Sequence, residues 1–224
     1  MNDQDIISLW KAQDAKLEQA LTLNRQVLKE VVSQKAKHSL DGLIRFKTRG
    51  IISVCIYLLV LGTLLRYAFI HYSSAANYFI ISVTIIFLIN VRALYDYVKH
   101  LIWIRQINYN GSIVAIQEKL SRLQFSIVQH SRIMTLQFPF FTTLFLSNTW
   151  FPQSIGAGYL IFQLFLTGSF TFLSYWLFKN QNIHNLDKKW YRKLLAGSGG
   201  KKVEDAIAFY REIEAYKMEN SQES

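Results

Sequence analysis

The chain has 224 residues with a formal net charge of +10; 51% are hydrophobic and 18% charged, below the roughly 25% charged usage of soluble domains. Two prolines exclude a Pro-rich disordered scaffold, and the single cysteine, Cys55, excludes a disulfide framework or a thiolate metal cluster. So basic a chain admits nucleic acid as partner and so apolar a chain admits lipid, but the two demand different placements of the charge.

Residues 1–49 read as an N-terminal amphipathic helix without Gly or Pro from Asp3 to about Lys37. Ile6, Trp10, Gln13, Leu17, Ala20, Asn24, Val27 and Val31 follow alternating four-three steps, a heptad-like seam. Trp10, Leu17, Asn24 and Val31 are its candidate pairing residues, and a buried Asn in such a seam fixes register. The polar Gln13 and Asn24 also fit a plainer reading, in which Asn24 faces solvent and the helix packs on its neighbours. A bend is expected at Asp41-Gly42 before the approach to the membrane.

Residues 50–91 are expected to form two transmembrane helices, Ile51 to Tyr72 with one charge (Arg66), and Ala75 to Val91 with none. YLLVLGTLL and IISVTIIFLI lack the alternation of barrel strands, so the spans are helical. Because the first span begins about fifty residues in, no cleaved signal peptide is expected. Arg66 sits about one turn inside the outer boundary, where its stem reaches headgroups.

Residues 92–132 continue the helical spacing through Leu94, Val98, Leu101 and Ile104, turn at Asn108–Ser112, and resume with Ile113, Ile116, Leu120, Leu123 and Ile127 in three-four steps. This is a helical hairpin, with Gly111 as the permissive turn residue, Ser112 as N-cap, and a second candidate pairing seam on its returning arm. Residues 133–178 supply two further uncharged spans, Ile133 to Phe151 with a kink at Pro139, and Ala157 to Phe178. In residues 179–224 a basic helix from His184 to Leu195, a flexible linker at Ala196–Gly200 and an amphipathic helix from Lys201 to Lys217 are expected.

Charge then decides between the partners. Residues 1–49, 92–132 and 179–224 hold nine, six and nine Lys/Arg, and all fifteen acids lie in the same three segments. With four crossings every basic residue but Arg66 falls on one side, which the positive-inside rule makes the cytoplasm, with both termini inside. The dispersed excess, interleaved with acids, does not suit a phosphate-tracking stripe, so no nucleic-acid partner is expected. Lys188, Lys189, Arg192 and Lys193, beside Trp190, are candidates for contact with anionic lipid headgroups.

No catalytic, metal or cofactor motif is found. Gly197-Ser-Gly-Gly-Lys-Lys202 has Leu195 where a phosphate-binding loop needs glycine and a lysine where it needs a hydroxyl. The five histidines are scattered without ligand spacing. Thr84, Asn90, Gln137, Asn148 and Gln163 are the polar groups at depth, and such groups more often bond across helices than bind substrate.

The stretches LWKAQDAKLEQALTLNRQVLKEV, SIVAIQEKLSRLQ and GKKVEDAIAFYREIEAYK, with Glu204, Ala208 and Glu212-Ile213-Glu214 in approximate spacing, resemble landmarks of uncharacterised integral membrane proteins of Bacteroidetes. The resemblance implies a bacterial inner-membrane protein and, since some of that group are thought to accompany alternative sigma factors, a part in signalling. It carries over no functional residue.

The expected fold is all-α, a polytopic membrane protein with four transmembrane helices and a cytoplasmic bundle that includes the hairpin. The expected role is a membrane-anchored interaction or regulatory protein, not an enzyme, presenting helices to a cytoplasmic protein or to a second copy. The alternative is a small oligomeric transporter or channel component, motivated by Pro139, Gly156, Gly158, Gly168 and the polar residues at depth.

Overall fold

In the computed structural model, residues 3–109, 111–182, 185, 188–197 and 199–208 are described; the side chains of residues 3–9 and of Arg25, Leu28, Lys29, Ile113 and Ala196 lie outside that description. The described chain is all-helical, with no strand. Its elements are α1 (Asp3–Ile70), a short 3-10 turn (Ser74–Ala76), α2 (Asn77–Arg105), α3 (Ile113–Thr135), α4 (Phe138–Thr143), α5 (Ala157–Asn180), α6 (Lys189–Ala196) and α7 (residues 200–208). Three helical stretches are long and apolar enough to cross a membrane: Glu30–Ile70, Ser74–Arg105 and Ala157–Asn180. The protein is therefore a helical membrane protein by length and composition.

α1 runs without interruption for 68 residues, about 100 Å at 1.5 Å per residue. The bend expected at Asp41-Gly42 is absent. Gly42 lies beside the end of the Lys202 side chain, whose ammonium would stand 2.8 Å from a Cβ placed there. Ser39 strengthens the same junction by donating from Oγ to the Lys202 carbonyl at 2.8 Å.

One core gathers residues far apart in the chain. Val32, Ala36, Leu40 and Leu43 of α1 meet Ile104, then Ile116, Leu120, Leu123 and Ile127 of α3, Tyr191 and Leu195 of α6, and Val203, Ala206 and Ile207 of α7. Each buried Leu or Ile contributes about 1.5–3 kcal/mol relative to exposure. The hairpin closes as its sequence predicts. Ser112 caps α3 by accepting at Oγ from the Ala115 N–H, 3.3 Å away, and the Gly111 N–H donates to the Asn108 carbonyl. Among described glycines the left-handed conformation belongs to Gly199, not Gly111.

Within the expected flexible linker at Ala196–Gly200, Gly199 and Gly200 are packed against the protein. Gly199 has φ +86° and is buried, and a Cβ there would lie 2.4 Å from the Leu43 side chain. The basic helix begins at Lys189 rather than His184, which with Asp187 lies outside the described residues, as do Tyr210, Ile213 and the tail.

Burial inverts between the two ends of the molecule. Ile52, Leu59, Phe165 and Phe172 are exposed, and only 6% of the most apolar window of α1 is buried inside the protein. A smaller cluster of Leu61, Leu65, Val83 and Ile86, joined by Phe79, Phe87, Phe140 and Leu144, holds α1, α2 and α4 together there.

The segment 133–151 is not one helix. α3 ends at Thr135, four residues before Pro139, which has no N–H to return to the Thr135 carbonyl. Ser174 of α5 donates its hydroxyl to that carbonyl at 2.9 Å instead. The chain resumes as α4 and then turns from Leu144 to Ile155. It nevertheless runs antiparallel along α2, with Gln137 bonded to Asn90, Thr143 to Ser82, and Phe151 edge-on to Tyr78 at 5.8 Å.

A test of the core compares two positions on α3. Leu123→Ala, at a fully buried site, is expected to lower stability by about 2–5 kcal/mol. Val114→Ala, at a site 68% exposed, should stay within about 0.5 kcal/mol. Thermal unfolding in detergent followed by circular dichroism reads both.

Candidate functional site

Two features stand out once the packing is known: a buried charge cluster where the bundle meets the apolar helices, and an uncovered arm of α1. The cluster draws on three helices. Lys47 of α1, Asp96 and His100 of α2, and Ser126 and His130 of α3 are all nearly or fully shielded from solvent. Asp96 is its centre, with Lys99 Nζ at 3.1 Å, Arg92 Nε at 3.5 Å and His130 Nδ1 at 3.5 Å. His100 Nε2 bonds Ser126 Oγ at 2.9 Å. The two pairs share one antiparallel register, stepped by four residues on each arm of the hairpin. The His130 ring also packs on Tyr97, with centroids 4.9 Å apart.

Lys47 enters from α1 in line with Leu40 and Leu43. Its ammonium makes no hydrogen bond among the described residues and sits 4.4 Å from the centre of the Tyr97 ring. The ring face and the Asp96 carboxylate are what offset its loss of water. Gly50, one turn along, brings α1 close, since a Cβ there would lie 2.7 Å from the same ring. The arrangement is an electrostatic clamp joining α1 to the hairpin. Among the described residues, no group of three or more His, Cys, Asp or Glu could hold a metal ion.

His130 titrates below the ordinary imidazole range. Burial disfavours its charged form, and the opposing pull of the Asp96 hydrogen bond is smaller.

The hairpin bears a groove of about 620 Å³ lined by Lys99, Trp103, Lys119, Arg122 and Phe125. Its cations are already engaged: Lys99 with Asp96, Lys119 with the Gln106 carbonyl at 3.0 Å, and Arg122 with Glu118 at 2.7 Å.

The two expected pairing seams part company. Ile116, Leu120, Leu123 and Ile127 are buried in the chain's own core, so that face is occupied from within; the Ile113 side chain lies outside the described residues. Trp10, Leu17, Asn24 and Val31 remain exposed, together with Leu21, Leu23 and Val27, and among the described side chains of α1 the first buried one is Val32.

The basic candidates are brought together. Lys188, Lys189, Arg192 and Lys193 are exposed at and along α6, while Tyr191 and Leu195 on its other side are buried. Trp190 packs on Trp176 near the end of α5 at 5.1 Å, which seats the basic helix beside the end of an apolar one. Arg192 reaches Glu204 at 3.9 Å.

Asn90, Gln137 and Gln163 form hydrogen bonds inside the apolar helices. Asn90 donates to Gln137 Oε1 at 3.1 Å and to the Ile86 carbonyl, and Gln163 donates to the Thr142 carbonyl at 2.9 Å and to Thr167. Asn148 is exposed.

Sequence reading passes over the charge cluster. One signal was available: Asp96 is the sole acid between Asp41 and Glu118, with His100 one turn away on the same helix. Comparison with family models, curated proteins and solved structures finds no match for this chain.

Two measurements test the clamp. Asp96→Asn leaves Lys47 and Lys99 without their carboxylate and is expected to cost about 3–5 kcal/mol. Adding Lys47→Met should recover part of that loss. Because the folded pKa of His130 lies below its unfolded value of about 6.5, its contribution is complete above that pH and is lost as pH falls through it. The melting temperature should therefore drop between pH 8 and pH 5, and His130→Gln should shrink the drop.

Proposed function

We propose that this protein is a membrane-anchored interaction protein that holds its N-terminal helix out from the bilayer as a docking surface for a protein partner. The observation that carries this reading is the uncovered arm. Over residues 10–31 every described side chain is exposed, including Trp10, Leu17, Leu23, Val27 and Val31. A row of large apolar side chains on a helix continuous with a membrane-crossing stretch is maintained at the cost of solvent exposure unless something covers it.

We further propose four crossings of a bacterial inner membrane, with both termini and the bundle in the cytoplasm. The course of residues 136–151 alongside α2, from Asn90 to Tyr78, supports a kinked third crossing. The contact between Tyr78 and Phe151 supports putting both short turns at one end. The one-sided charge supports the orientation. In that setting the exposed face of α6 lies against anionic headgroups, each cation contributing about 1 kcal/mol.

A regulatory role within bacterial signalling accords with the resemblance to the Bacteroidetes membrane proteins. Conduction has less support, because Asn90, Gln137 and Gln163 spend their hydrogen bonds on one another's helices.

In a Cys55→Ser background, a cysteine placed by Ser74→Cys should react with an impermeant maleimide on intact cells. One placed by Ser121→Cys should react only after lysis, and the reverse result overturns the orientation. A photoreactive amino acid at Leu23, 62% exposed, should give a protein adduct in native membranes. Absence of any adduct would overturn the docking reading.

A further inference from the structure

We infer that the surface covering the arm is a second copy of this chain, in a parallel two-stranded coiled coil over residues 6–31 with Asn24 facing Asn24. The inference rests on the arm being an interaction surface, and it names the partner.

The four-three steps assign Trp10, Leu17, Asn24 and Val31 to the a positions and Ile6, Gln13, Ala20 and Val27 to the d positions. That is four heptads, the length at which such a pattern argues for a coiled coil. The period itself separates this face from the rest of α1. The side of α1 turned into the protein runs Val32, Ala36, Leu40, Leu43, Lys47, Gly50, Val54, Leu58, Leu61, Leu65 and Ala68, 36 residues in ten steps, the repeat of a straight helix. The seam keeps the 3.5-residue repeat, whose consequence is supercoiling about a partner.

Direction agrees with period. At about 100° per residue the seam near Asn24, Val27 and Val31 points roughly 150° away from the inward line through Ala36, Leu40 and Leu43. A second copy can therefore lie on the seam while each bundle stays on the far side. The apolar seam also stops where the bundle begins. Continued past Val31, the same positions carry Gln34, His38, Asp41 and Arg45, all exposed. In a parallel pair Asp41 would face Asp41 and Arg45 would face Arg45, and those repulsions confine the contact to the arm.

A second copy meets the specific demands of the seam better than an unrelated helix. A parallel copy in register sets Asn24 level with Asn24 by symmetry, the arrangement in which an a-position amide fixes register. Gln13 meets its own counterpart in the same way. Flanking positions from successive heptads pair Lys16 with Leu21 and Glu30 with Lys35. Neither is a like-charge pair, and the second is complementary. Finally, α1 is continuous into the Glu30–Ile70 stretch, so two copies inserted in the same sense hold their arms parallel. Confinement to one bilayer raises their effective concentration.

The test uses the full chain in lipid nanodiscs with Cys55→Ser. Native mass spectrometry should give twice the 26.1 kDa chain mass, and Leu17→Glu with Val27→Glu should halve it. Both residues are exposed in the single chain, so unchanged melting of the bundle serves as the folding control. On mild oxidation Val27→Cys should form a covalent dimer, whereas Thr22→Cys, on the outer side of the pair, should not. A single-chain mass overturns the inference, as does a doubled mass indifferent to the two glutamates or equal cross-linking at Thr22 and Val27. An adduct from Leu23 to a different protein alone also overturns it while leaving the docking reading intact. No adduct at all removes both.

Discussion

The rest of the structure depends on one constraint, that α1 is a single unbroken helix. Because its hydrogen bonding never lapses, the phase set at Val32 is carried to Ala68, and every inward position between them must suit whatever lies at its own depth. At the first turns that is the apolar core of the bundle. At Lys47 it is the charge cluster, at Gly50 the flat face of Tyr97, and at Leu61 and Leu65 the cluster with Val83 and Ile86. A helix broken at Gly42 would have freed these choices from one another. Unbroken, it makes the bundle and the apolar helices one mechanical unit.

The clamp at Asp96 sits where the surroundings change. Toward the apolar end, exposed side chains are hydrocarbon; toward the bundle, hydrocarbon is inside. A buried ion cluster contributes little net stability compared with well-packed hydrophobic residues, but it is costly to misalign, because a shifted partner leaves an uncompensated charge. Lys47, Asp96 and His130 come from three different helices, so their alignment sets the register of α1 against the hairpin at one height. Apolar surfaces on both sides tolerate sliding far better than this layer does.

The parts of the fold legible in the sequence are those whose reasons are local. Ser112 could be named as a cap because a hydroxyl before an amphipathic run satisfies an N–H three residues away, and the break near Thr135 follows from Pro139 alone. The basic residues of α6 could be grouped because they are neighbours in the chain. What was misread depends on distant residues. Gly199 looks like part of a linker until Leu43 is found against it, and glycine gives the same signal for freedom as for close approach. Asp96 has no evident role until the hairpin brings His130 to it. The two pairing seams looked alike, because whether Leu120 or Leu17 is covered is decided by α6 and α7, more than sixty residues beyond the nearer of the two.

The arm and the bundle differ in what their apolar residues report. In the bundle, the intervals between buried residues follow the helix's own repeat, since the surfaces they meet are short elements packed on a straight rod. Along the arm the interval is shorter than that repeat, so on a straight helix the row would drift by about 20° per heptad and leave any flat neighbour behind. A face of that kind is matched by another helix able to wind with it. The +10 charge now sorts by role in the same way: most of it lies along the surfaces of the bundle and α6, part is drawn into the Asp96 layer, and the seam carries none of it from Trp10 to Val31. The basicity accompanies anchoring, and the uncharged seam is where recognition between helices is left to act.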